Sequence, residues 1–138
     1  MAVEIVRLLV SNIEVLNAVA EDVFDGDIVL AQALAYAAAP GHLMLLAIDC
    51  DIVVGQIAAV IHHRIDQPSE LYIDNLGVTP SRQRQGIARK LLDGVAGLGK
   101  SMGCAEAWVV TDTGNVAARA LYAERAEVET VVMYGFEA

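Results

Sequence analysis

The chain has 138 residues, 56% of them apolar, and carries a formal net charge of −9. That length predicts one domain, spanning 1–138, with a real hydrophobic core. No apolar run reaches the roughly eighteen residues of a membrane span, and so acidic a balance argues against nucleic acid as the main partner. The start, Met1 to Arg7, lacks the charged segment and small-residue cleavage site of a secretory signal. Cys50 and Cys104 show neither metal-ligand spacing nor the density of a disulfide scaffold, so a reducing cytoplasm is expected.

In chain order, residues 3–10 read as a strand. Ser11-Asn12-Ile13-Glu14 matches a capping box, and Ile13, Leu16, Ala20 and Val23 follow at helical spacing. Asp25-Gly26-Asp27 breaks the chain. A second, Ala-rich helix is predicted from Ile28 to Ala39, stopped by Pro40-Gly41. His42 to Ile48 and Ile52 to Ile65 are apolar runs joined by a plausible hairpin turn, Asp49-Cys50-Asp51. Leu71 to Val78 is a further strand, ended by Pro80, which cannot donate to a ladder.

Ile87, Leu91, Leu92, Val95 and Leu98 mark one face of a helix that ends at Gly103. Ala105 to Thr111 reads as a strand, Asn115 to Glu124 as a short helix, and Glu127 to Phe136 as a final extended segment. The order is β-α-α-β-β-β-α-β-α-β, an α/β layer structure around a mixed sheet.

Two motifs about thirty residues apart carry the chemistry. The first is Gln83-Arg84-Gln85-Gly86-Ile87-Ala88, a Q-x-x-G-x-A turn between a strand and a helix. A helix start leaves backbone N–H groups unpaired and partly positive, and a glycine there lets a phosphate approach closely. Arg82, Arg84, Arg89 and Lys90 cluster around the same turn in an otherwise acidic chain. The second motif is Asn115-Val116-Ala117-Ala118-Arg119-Ala120-Leu121-Tyr122, which sets a phenol on a short helix. From residue usage, the first pattern arises by chance in roughly one chain in ten of this size, the second on the order of once in a thousand. The pair, in this order and context, therefore carries the weight. A dinucleotide fold would need G-x-G-x-x-G, and a Walker-type loop G-x-x-x-x-G-K-[ST]; neither is present.

With these motifs the chain resembles the GNAT acetyltransferase superfamily along nearly its whole length. That resemblance implies acetyl-CoA as co-substrate. It places the CoA pyrophosphate at Gln83, Arg84, Gln85, Gly86, Ile87 and Ala88, and sets the backbone of Leu76, Gly77 and Val78 against the pantetheine arm. It also carries the family's N-x-x-A-x-x-L-Y helix over to Asn115, Ala118, Leu121 and Tyr122, and implies that Asn115, Ala118 and Tyr122 contact the CoA. Glu70 to Val78, Arg84 to Ala88, Asp112 to Tyr122 and Val131-Val132-Met133 further resemble the aminoglycoside 3-N-acetyltransferases of the fortimicin/gentamicin type. Two places depart from that branch: Asn75 stands where an Asp is usual, and Glu124-Arg125-Ala126 replaces Lys-Leu-Gly.

The expected chemistry is direct attack by a neutral amine on the thioester, with both substrates bound. A backbone N–H near Leu76 stabilises the oxyanion, and Tyr122 protonates the leaving thiolate. On a regular strand Tyr72, Asp74, Leu76 and Val78 share one face, unless a bulge shifts the register. Asp74 is then the leading general base, directly or through water, and Glu70 the alternative. Glu21, Asp22, Asp25 and Asp27 would form an acidic wall for a cationic acceptor, with Tyr72 beside it. His62 and His63 are adjacent strand residues that point to opposite faces, so no metal is expected. The leading expectation is an acetyl-CoA-dependent N-acetyltransferase for a small amine, working as a homodimer. An acyl-CoA-binding regulatory module and a protein or peptide N-acetyltransferase are the alternatives.

Overall fold

The computed structural model describes residues 3–138. Five strands, Glu4–Arg7 (β1), His42–Asp49 (β2), Ile52–His62 (β3), Ser69–Val78 (β4) and Cys104–Val109 (β5), form one sheet in that same order. Three α-helices accompany it, Leu30–Ala38 (α1), Ile87–Ser101 (α2) and Val116–Ala123 (α3), with 3-10 turns at Val10–Asn17 and Pro80–Arg82. The first four strands are antiparallel, and β5 runs parallel to β4. A parallel neighbour requires a crossover, and α2 supplies it.

The sheet is covered on both faces. The apolar stripe of α2, Ile87, Leu91, Leu92 and Val95, packs with Leu43, Leu45, Ile57, Leu71 and Ile73. Each fully buried aliphatic of this kind contributes roughly 1.5–3 kcal/mol. On the opposite face Leu8, Leu16 and Val23 meet Met44, Leu46, Val53 and Ala58, with Tyr36 and Ala37 of α1 at the margin. Gly94 and Gly99 of α2 lie close over Leu45 and Leu71, where a methyl group would need those leucines to move.

Two sheet details position the site. The β2–β3 connection is a two-residue turn, Cys50-Asp51, with φ of +50° and +62°. That left-handed pair is what a tight hairpin with the natural strand twist demands. On β4, Asn75 faces Ala58 of β3 and Ile73 faces Ala59, which leaves Asp74 as an extra, unpaired bulge residue. β5 follows β4 only as far as the Ile73–Val109 pair. The strand bulges and loses its neighbour at the same point.

Several expected elements differ in detail. The first helix is a short 3-10 turn, and its start is organised by Asn12 rather than by Ser11 and Glu14. Asn12 Oδ1 accepts from Leu9 N–H at 2.7 Å, and its Nδ2 donates to Arg7 C=O at 2.9 Å. This fold-back also ends the first strand at Arg7 instead of residue 10. Val19 forms a parallel bridge to Val53, so the residues read as the end of that helix are a piece of extended chain. The final segment, Glu127 to Phe136, joins no strand among the described residues and is exposed throughout.

Candidate active site

The divergence of β4 from β5 opens a cleft of about 160 Å³, lined by Asp74, Asn75 and Leu76 on one side. Val109, Val110 and Thr111 line the other side, and Asn115, Ala118 and Tyr122 of the α3 region close it. Past Ile73, the backbone groups of β4 that face this gap have no partner strand. Asn115 is the N-cap of α3, its Oδ1 accepting from Ala118 N–H at 3.1 Å. That bond fixes where α3 starts and hence where Tyr122, two turns on, enters the cleft. The ring of Tyr122 packs on the α2-side core. Burial pushes its phenol pKa up, so the group holds its proton.

A second, larger cleft of about 390 Å³ lies on the α1 side. Its floor is apolar, with Leu8, Leu16, Phe24, Met44 and Ala58. Asp25, Asp27 and Asp74 bring carboxylates to it, and Tyr36 and Gln56 add polar groups. Tyr36 donates to Leu43 C=O at 2.7 Å and lies 3.2 Å from Ala59 C=O. Burial, with a further push from the Asp74 carboxylate, raises its pKa to about 12. Asp74 and Asn75 line both clefts, so the bulge is where the two meet.

A buried polar chain ties the wall of the larger cleft to the sheet. Gln56 is fully buried in the middle of β3, and its Nε2 donates to Val23 C=O at 3.1 Å and to Asn75 Oδ1. Asn75 Nδ2 in turn donates to Asp25 Oδ2 at 3.2 Å. A carbonyl and a carboxylate can only accept, so the two ends of the chain fix both amide orientations. Both Nε2 hydrogens of Gln56 are used, and its Oε1 has no partner. Gly77 provides a second tie: a Cβ there would lie 2.3 Å from Val23 C=O, so only glycine lets the 22–27 loop close onto β4.

At the other motif, Arg84 (φ +62°) and Gly86 (φ +81°) are both left-handed. Left-handed residues alternating along a loop turn its N–H groups to one side and make an anion-binding concavity. α2 begins directly behind it, with no side chain capping its first turn and no acidic residue there. The free N–H groups of that turn suit phosphate oxygens. Side chains brace the loop from below: Gln83 Nε2 donates to Val78 C=O at 3.1 Å, and Arg82 Nε to Gln85 Oε1 at 3.1 Å. Arg82 also pairs with Asp49 at 2.8 Å, which holds that carboxyl below its usual range. Arg84 and Lys90 are left exposed around the concavity, while Arg89 is bidentate to Glu124 at 2.6 and 2.9 Å.

The bulge overturns one expectation. Leu76 and Val78 pack on the α2 side with Leu71 and Ile73, so the even-numbered residues of β4 do not share a face along its length. Asp74 nevertheless reaches the clefts, because the bulge turns it outward at their junction. Tyr72 and Glu70 stand elsewhere. Tyr72 stacks on Trp108 with ring centroids 4.5 Å apart. Glu70 pairs with Arg64 at 3.3 Å and accepts from Trp108 Nε1 at 3.2 Å. Neither lines either cleft. Of the four acidic residues near the first break, Asp25 and Asp27 line the larger cleft; Glu21 and Asp22 do not. His63 meets Ser69 Oγ at 3.1 Å, and no cluster of three potential metal ligands occurs among the described residues. Sequence reasoning missed Gln56, Tyr36 and Phe24. Only Gln56 had a signal, a lone amide inside the apolar run from Ile52 to Ile61.

The model of the acetyltransferase (GNAT) family matches residues 13–126. The chain belongs to that family. Its fold is shared with an aminoglycoside acetyltransferase, HMB0005, from an uncultured soil metagenomic sample, at a TM-score of 0.85 and 22% identity over 100% of this chain and 99% of that one. It is likewise similar to AAC(6')-Iy in complex with a bisubstrate analog, CoA-S-monomethyl-acetylneamine, at 0.82 and 19% identity over all of both chains. A ribosomal-protein-alanine N-acetyltransferase from Brucella melitensis biovar Abortus 2308 gives 0.75 and 16% over 99% of this chain and 100% of that one. No curated protein gave a match. For this GNAT chain, identities this low establish the fold, and neighbours with such different acceptors leave the choice of amine to the cleft itself.

Proposed function

We propose that this GNAT chain transfers the acetyl group of acetyl-CoA to a primary amine of a small, cationic acceptor carrying some apolar surface. The observation that carries this reading is the meeting of the two clefts at Asp74 and Asn75. One cleft holds a protonated phenol and opens from the gap between β4 and β5. The other is lined by carboxylates over an apolar floor. In this reading acceptor and thioester meet at the bulge.

In this reading the N–H groups around Gly86, Ile87 and Ala88 hold the pyrophosphate, with Arg84 supplying charge. The backbone of Leu76, Gly77 and Val78, past the point where β5 leaves β4, aligns the pantetheine arm. Asp25 and Asp27 attract the acceptor, and Asp74 takes the proton that the amine nitrogen loses as it bonds to the carbonyl carbon. The C–S bond breaks, and Tyr122 gives its proton to the thiolate sulfur. A regulatory acyl-CoA sensor would have no use for that phenol at the sulfur position. AAC(6')-Iy, crystallised with a CoA bisubstrate analog, supports the co-substrate. Two free cysteines fit a reducing cytoplasm, and the exposed apolar residues Val131, Val132 and Met133 fit a homodimer.

The test is a panel of amines, from polyamines and aminoglycosides to aralkylamines and peptide N-termini, assayed for acetyl-CoA-dependent thiol release. Turnover on small cations is expected, with peptides poor. A protein that acetyl-CoA does not stabilise thermally at millimolar concentration would sink the reading.

A further inference from the structure

The larger cleft is divided by polarity. Its carboxylates, Asp25, Asp27 and Asp74, are exposed at the mouth, whereas Leu16, Met44 and Ala58 are buried beneath. Phe24 is half-buried and adds an aromatic ring to the lining. Ile28 and Val29 line the same cleft and are 37% and 51% exposed. Apolar surface of this kind gains free energy when an apolar group covers it.

The less exposed polar side chains of the cleft, Tyr36, Gln56 and Asn75, are already committed within the protein. Tyr36 has one hydroxyl proton, and it goes to Leu43 C=O at 2.7 Å. Gln56 spends both Nε2 hydrogens on Val23 C=O and Asn75 Oδ1, and its Oε1 is shut off from solvent. Asn75 accepts from Gln56 and donates to Asp25 Oδ2 at 3.2 Å, which occupies that carboxylate oxygen. What remains for a ligand lies at the mouth, in exposed Gln32, Asp27 and Asp74. A hydroxyl or a second ammonium carried down to the floor would give up its water and find no partner there. An alkyl or aryl group gives up nothing of that kind.

We infer that the acceptor is a primary monoamine bearing an alkyl or arylalkyl group, with its nitrogen at Asp74 and its apolar end on the floor of Leu16 and Met44. Asp74 sets the orientation, because it is the carboxylate that lines both clefts and so faces the thioester side. The volume of about 390 Å³ lies at the small end of ligand pockets, roughly 300–1,000 Å³. One charge at the mouth and apolar contact below separate such an amine from polyamines and aminoglycosides, whose further cations would fall on the floor. The inference rests on the acetyl-transfer reading and narrows it. The bonds made and broken are the same for every such amine: N–C forms, C–S breaks, Asp74 receives the amine proton, and the thiolate sulfur receives that of Tyr122.

Paired amines of near-equal basicity test the inference by acetyl-CoA-dependent thiol release. From ethylamine to hexylamine, kcat/KM should rise roughly fourfold per methylene. 1,6-Diaminohexane matches hexylamine in length but ends in a second ammonium, and should be poorer on the order of 10²-fold. 2-Phenylethylamine should rank with hexylamine. Phe24→Ala should lower the hexylamine-to-ethylamine ratio of kcat/KM roughly tenfold, with the thermal shift by acetyl-CoA kept as proof of folding. A diamine as good as hexylamine, a flat chain-length series, or a ratio that Phe24→Ala leaves unmoved overturns the inference. So does failure of every apolar amine while acetyl-CoA still stabilises the protein. In each of those cases the CoA site stands; loss of the acetyl-CoA shift in the wild type is the separate result that removes the acetyl-transfer reading beneath it.

Discussion

Tyr122 is a phenol whose burial favours the protonated form, the state a general acid must hold before transfer. Tyr122→Phe keeps the ring packed on the α2-side core and removes only the proton. Its kcat should fall roughly 10²-fold, the low end for general acid catalysis, with acetyl-CoA affinity and Tm little changed. Wild-type turnover by this variant would assign the proton to water. Asp74→Asn tests the other end of the transfer and should alter the acidic limb of the pH–rate profile without weakening acetyl-CoA binding. Asn75 gives a sharper structural test. Its amide must donate to Asp25 and accept from Gln56. Asn75→Asp sets one carboxylate against another and removes the donor, which should cost roughly 1–3 kcal/mol at neutral pH. The loss should shrink as pH falls and one of the pair takes up a proton. A Tm difference that does not vary with pH would mean that the amide chain does not order the loop.

The loop at 22–27 and the turn at 83–86 are held by backbone approach more than by side chains. Gly77→Ala drives a methyl group into Val23 C=O, and a backbone oxygen has no rotamer in which to escape. Overpacking of this kind costs about 1–3 kcal/mol. Because the loop walls the larger cleft, KM for the amine should rise more than KM for acetyl-CoA. Equal changes in the two constants would place the loop outside the acceptor site. At the phosphate-type turn, Gly86→Ala and Gly86→Glu share the strain of a left-handed residue, about 1–2 kcal/mol. Only Gly86→Glu adds a negative charge where the pyrophosphate is proposed to sit. The thermal shift with acetyl-CoA should therefore weaken in the first variant and vanish in the second; retention by Gly86→Glu would place the pyrophosphate elsewhere.

For the molecule as a whole, the two raised phenols shape alkaline stability. Free tyrosines ionise near pH 10. Tyr36 is held protonated to about 12, and Tyr122 is raised in the same direction. The fold therefore binds more protons than the unfolded chain in that window. The contribution is complete below pH 10 and is lost as pH climbs through the folded pKa values. Urea midpoints should fall between pH 10 and 12, and Tyr36→Phe should flatten that fall. An equally steep decline in the variant would assign alkaline unfolding to other groups.

Much of this architecture was legible in the linear chain. The helical stripe of Ile87, Leu91, Leu92 and Val95, the hairpin at Cys50-Asp51, the Gly86 turn and the Asn115–Tyr122 helix are all local signals, written in spacings of a few residues. They led to the family and to the turn proposed to hold CoA. The cleft proposed for the acceptor was only partly readable, because it is assembled from segments far apart in sequence. No local pattern announces that β4 bulges at Asp74, since a bulge is a mismatch between two strands and exists only once they pair. The same holds for Gln56, whose amide looks misplaced in an apolar strand until Val23, Asn75 and Asp25 are packed around it. Glu70 and Tyr72 match the wanted chemistry by residue type, yet register carries them to Arg64 and Trp108. Short-range periodicity specifies which elements form; the register of long-range pairing decides which side chains meet.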